Sequence, residues 1–98
     1  MATDEDGWRQ RTPFVRERKW VRYGIVAELS SIPQQNVDGT WRPGSSWFIQ
    51  ITMAGDRVHR EKVQGLVKGK ATAESFVASL LSRRRMRVSV LKNLLFGE

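Results

Sequence analysis

The chain has 98 residues, with 17 Lys or Arg against 10 Asp or Glu, and its formal net charge is +7. That length holds one domain, which buries only about two thirds of the surface its unfolded chain exposes, so two-domain architectures are excluded. With no cysteine there is no disulfide framework, thiolate nucleophile or Cys-based zinc site.

The expected setting is intracellular and soluble, with no membrane partner. No stretch approaches the ~20 consecutive apolar residues of a membrane span. Asp4, Glu5 and Asp6 reverse the basic-then-apolar order of a secretory leader. Charge is uneven along the chain: residues 1–49 hold seven basic and six acidic side chains, residues 50–98 ten and four. A surface for an anionic partner is therefore expected to be weighted to the second half.

Residues 1–18 are polar, lack helical or alternating periodicity and contain Pro13, so they read as a flexible arm, with residues 19–98 as a single domain. Trp8 and Phe14 in that arm either dock on the domain or stay free. From Lys19 an extended segment begins, with Val21, Tyr23, Ile25, Ala27 and Leu29 on one side. Ser30 to Ser46 concentrates Pro33, Asn36, Asp38, Gly39, Pro43 and Gly44 and reads as a long loop; its Trp41 and Arg42 gain weight as contact residues. Trp47, Ile49, Ile51 and Met53 alternate with Phe48, Gln50 and Thr52 as a second strand. Ala54-Gly55-Asp56 then turns the chain into a third, Arg57 to Gln64, whose charge suits an exposed edge.

Gly65 to Lys70 reads as a basic loop, with Thr72 the N-cap of a helix whose Ala73, Phe76, Val77, Leu80 and Leu81 form one apolar stripe. Arg83, Arg84 and Arg85 suit the negative end of that helix, and Met86, Val88 and Val90 alternate as a fourth strand. The fold class expected is α+β, an antiparallel sheet of three to four strands with one packed helix in the C-terminal half. Leu91, Leu94, Leu95 and Phe96 either complete the core or form a homodimer interface, and the homodimer is the preferred expectation.

Basic residues interleaved with aromatics are the strongest functional signal, because phosphates are held by Lys and Arg while unpaired bases stack on aromatic faces. Four Trp stand in this basic chain. Trp47 and Tyr23 are expected in the core, and Trp41 and Trp20 as stacking residues. Arg22, Arg42, Arg57, Arg60, Lys62, Lys68, Lys70, Arg83, Arg84, Arg85 and Arg87 are the expected phosphate contacts. The Lys68-Gly69-Lys70 run suits an anion but lacks the P-loop pattern. His59 is the lone histidine, and the carboxylates are scattered, so no acid/base pair, metal site or cofactor site is assembled and no enzyme is expected.

Residues Trp47 to Arg85, a strand, a tight turn, a basic strand and a helix opening on Thr-Ala-Glu-Ser-Phe, resemble the three-stranded-sheet-plus-helix DNA-binding domains of phage integrase arms and plant AP2 factors. The resemblance covers about 40 residues and is one of pattern, without the defining motifs. The function expected is a small nucleic-acid-binding protein favouring single-stranded nucleic acid or RNA, with duplex DNA as a further ligand. A basic face docking on an acidic protein is the alternative.

Overall fold

The computed structural model describes residues 7–96, with 84–96 described by backbone alone. Five strands, β1 (Arg9–Thr12), β2 (Val15–Trp20), β3 (Ile25–Gln35), β4 (Trp41–Met53) and β5 (Asp56–Gln64), form one antiparallel sheet in the order of the chain. One helix, α1 (Leu66–Phe96), follows and packs on one face. The class is α+β as expected, with five strands in place of three or four.

The extra strands come from the segment whose sequence reads as an arm. Thr12 Oγ1 accepts the Phe14 amide at 3.1 Å, which closes the β1–β2 turn around Pro13. β2 then pairs with β3 from Val15 opposite Ser30 to Trp20 opposite Ile25. Its sequence, VRERKW, has almost no apolar alternation, because the positions facing the helix are Arg16, Arg18 and Trp20, whose long stems substitute for aliphatic side chains. Trp8, just before β1, is wholly buried. Between β2 and β3, Val21–Tyr23 forms a short 3₁₀ turn, so Val21 lies exposed outside the expected strand.

The segment whose sequence reads as a long loop is a two-stranded ribbon. β3 and β4 run on past the sheet, placing Pro33 opposite Pro43, Gln34 opposite Arg42 and Gln35 opposite Trp41. Neither β2 nor β5 reaches this far, so both ribbon edges are open and proline costs no ladder bond to a third strand. The tip is closed by the Asn36 amide donating to Thr40 O at 2.7 Å. Asp38 Oδ1 accepts from the Thr40 hydroxyl and amide, bonds that hold its carboxyl below the ordinary aspartate value.

The β4–β5 turn is as expected. Ala54 (φ 53°) and Gly55 (φ 85°) are both left-handed, the backbone that a two-residue hairpin turn matching strand twist requires. β5 is an edge strand, with a bulge that leaves Val58 unpaired between His59 and Arg57.

The helix begins at Leu66, six residues before the expected cap, so Gly65–Lys70 is not a loop and Thr72 lies inside the helix. Gly69 explains the difference. A Cβ there would stand 3.3 Å from Val63 Cγ2 and 3.4 Å from Leu29 Cδ2, so the missing side chain lets the first turn of α1 sit down on the sheet. The helix also runs through Met86–Val90, where a fourth strand was expected, to Phe96.

The core is Ile25, Ala27 and Leu29 of β3, Trp47, Ile49 and Ile51 of β4, Val63 of β5, Ala73 and Val77 of α1, and Trp8. Phe76, Leu80 and Leu81 of the expected stripe pack against it, as does half-buried Tyr23. No helix among the described residues is long and apolar enough to cross a membrane.

Two measurements check this account. Ala54→Asn removes much of the left-handed strain and should raise stability by up to about 1 kcal/mol in urea denaturation. Ile51→Ala, at a fully buried site, should lower it by about 2–5 kcal/mol.

Candidate nucleic-acid interface

Directly paired residues of an antiparallel sheet share a face, so the register sorts every side chain of the sheet into one of two sets. One set meets α1. The other faces away from the helix, with no element of the described chain over it.

On the covered face, cations are engaged by the protein itself. Arg18 Nη1 donates to Glu74 Oε1 at 2.7 Å, and Trp8 Nε1 donates to the same oxygen at 2.8 Å. The Arg18 guanidinium also lies 4.8 Å from the Trp20 ring, and Arg16 lies 5.7 Å from Trp47. Trp20, half-buried against the core with a guanidinium over it, is therefore not the open stacking surface expected of it. His59 stacks on Phe76 with ring centroids 4.1 Å apart and its Nε2 lies 3.0 Å from Glu61, which makes it part of the sheet–helix contact.

The uncovered face has two halves. Toward β1, its carboxylates are paired: Arg11 reaches Glu17 at 3.4 Å and Glu28 at 3.2 Å, and Lys19 reaches Glu17 at 3.6 Å. Toward β5, Lys62 stands opposite Phe48, Arg60 opposite Gln50 and Arg57 opposite Thr52. All three cations are exposed, and among the described residues no carboxylate lies within ion-pair distance of any of them. Phe48, half-buried on this face, is paired with Ser30 on one side and Lys62 on the other. Strand alternation already separates Phe48 from Trp47, Ile49 and Ile51, and that is the sequence signal for it.

The other expected contacts are dispersed. Arg22 lies in the 3₁₀ turn, 5.8 Å from the Tyr23 ring. Trp41 is 60% exposed on the ribbon, and Arg42 beside it donates to Asn36 Oδ1 at 2.5 Å. Lys68 is exposed in the first turn of α1, and Lys70 lines a shallow depression with Leu66, Val67, Ala71 and Glu74. Arg83 is exposed on the helix; Arg84, Arg85 and Arg87 continue it, with side chains outside the described residues, as are those of Leu91, Leu94, Leu95 and Phe96. Because α1 runs on to Phe96, this arginine run does not stand at the helix's negative end. The helix lies across the sheet from the β5 cations, so one continuous groove through all the expected residues is not formed.

No family model matches the chain, and no curated protein and no solved structure matches it either.

The carboxylate shared by Trp8 and Arg18 gives a test. Glu74→Ala leaves an indole N–H and a guanidinium without that acceptor and should cost about 1–2 kcal/mol, most of it recovered by Glu74→Gln if the indole bond dominates. Urea denaturation followed by tryptophan emission reads both variants.

Proposed function

We propose that the protein is a non-enzymatic nucleic-acid-binding module that takes single-stranded nucleic acid or RNA on the uncovered face of its sheet. The observation that carries this reading is the β5 half of that face, where Arg57, Arg60 and Lys62 have no carboxylate partner among the described residues and stand in register with Thr52, Gln50 and Phe48. Cations already paired within a protein have little charge left for a ligand. These three keep theirs, and neutralising phosphates releases the counterions that drive such binding. Phe48 adds an aromatic face, and Gln50 and Thr52 add hydrogen-bonding groups that tolerate any sequence. The formal charge of +7 favours the encounter at long range.

The test is fluorescence anisotropy of labelled single-stranded DNA, single-stranded RNA and both duplexes at several salt concentrations. Binding is expected to weaken with salt, and the single strands and RNA to rank above duplex DNA. Replacing Arg57, Arg60 and Lys62 together by Ala should flatten the slope of log K against log salt by about 2, at ~0.7 for each phosphate of a single strand that is no longer neutralised. An unchanged slope would remove the β5 face from the interface. Absence of binding to all four ligands would make an acidic protein the partner.

A further inference from the structure

The β3–β4 ribbon carries apolar side chains that the core does not use. Trp41 is 60% exposed, Ile32 is 58% exposed, and Val37 is fully exposed. At the root of the ribbon, Phe14, Pro33 and Trp41 line a shallow, open concavity of about 390 Å³. Ligand sites begin at roughly this size.

Three separate segments build it. Phe14 comes from the β1–β2 turn, and its carbonyl accepts the Ser31 amide at 2.9 Å, which ties the turn to β3 where the ribbon leaves the sheet. Pro33 comes from β3, and Trp41 from the start of β4, paired with Gln35. Gly44 sets the spacing behind them, since a Cβ there would fall 2.7 Å from Ile32 O. Backbone pairing thus brings a phenyl ring, a pyrrolidine ring and an indole from three segments to one place.

The cations nearest the concavity in the chain, Arg16 and Arg42, are each held within the protein. Arg16 wraps the turn that carries Phe14, donating to Thr12 O at 3.0 Å and Pro13 O at 3.1 Å. Arg42 follows Trp41 on β4, so its side chain leaves the other face of the ribbon, where it donates to Asn36. Neither guanidinium has a carboxylate partner among the described residues. The ribbon's one carboxylate, Asp38, is occupied by Thr40 at the tip.

We infer that the Phe14–Pro33–Trp41 concavity seats an unpaired base of the bound strand. This rests on the nucleic-acid reading and adds to it a base-dependent subsite on the ribbon, apart from the phosphate contacts of β5. A base in a duplex has both faces covered by its neighbours, whereas an unpaired base has a π-face free for the indole, and such stacking tolerates any sequence. The subsite therefore selects unpaired over paired nucleic acid.

The experiment compares labelled oligothymidylate with an abasic deoxyribose-phosphate strand of equal length, by anisotropy, for the wild type, Trp41→Ala and Trp41→Phe. The wild type is expected to prefer oligothymidylate by roughly 5- to 150-fold, the range of one base–aromatic stack. Trp41→Ala should abolish that preference while keeping the affinity for the abasic strand, and Trp41→Phe should retain most of it. Trp41 is exposed, so the emission of buried Trp8 and Trp47 and the melting temperature should stay at wild-type values and certify the fold. A wild type that binds both strands equally, or a preference that survives in Trp41→Ala, overturns the subsite and leaves the phosphate reading standing. Binding to neither strand overturns both and assigns the concavity to a protein partner.

Discussion

One helix cannot cover a five-stranded sheet. An α-helix with its side chains is about 10–12 Å across, whereas four interstrand spacings of ~4.8 Å make this sheet about 19 Å wide. The aliphatic core is accordingly confined to the strip beneath α1, where Ile25, Ala27 and Leu29 meet Ile49, Ile51, Ala73 and Val77. Beyond that strip, longer amphipathic side chains cover the remainder. Trp8, Arg18 and Trp20 close the β1–β2 side, with Glu74 as the acceptor for Trp8 and Arg18, and His59 stacked on Phe76 closes the β5 side. With the one helix on that side, no element of the described chain covers the opposite face, and there the β5 cations have no carboxylate partner among the described residues.

This arrangement explains which elements are legible in the sequence. β4, the Ala54-Gly55 turn and β5 follow from alternation and turn chemistry, and the stripe Ala73, Phe76, Val77, Leu80 and Leu81 follows from helical spacing. The exposed turn and the edge strand β5 follow from turn chemistry and charge, whereas β4 and the helix stripe lie in the covered strip, where burial writes a period into the sequence. β1 and β2 lie outside it, so RQRT and VRERKW carry no hydrophobic period and read as an arm. Their strand state is imposed by pairing with β3 and by a glutamate 56 residues beyond Arg18. The ribbon is hidden for the opposite reason: Pro33 and Pro43 are loop residues in most contexts and are tolerated here because no third strand flanks them. Gly69 reads as flexibility in the sequence, although its role is to let helix and sheet approach.

The candidate site is legible in part. The alternate spacing of Arg60 and Lys62 along an edge strand, opposite in phase to Val63, is enough to put them on the face away from the core. Trp41 is distinguished from the core tryptophans by its sequence surroundings alone. Trp20 is not, because nothing local signals that Arg18 lies over its ring. Phe14 and Pro33 are beyond reach, since their meeting with Trp41 depends on a ribbon that the sequence disguises as a loop.

The sheet has a simple meander order, each strand pairing with its neighbour in the chain, so its loops are short to close and its pairing can zip turn by turn. Only the helix brings residues far apart in sequence together, and the Trp8–Glu74 bond spans 66 positions. Without α1, Trp8 loses the Glu74 acceptor. Its burial therefore couples the two ends of the described chain, the segment before β1 that carries it and the helix that supplies Glu74.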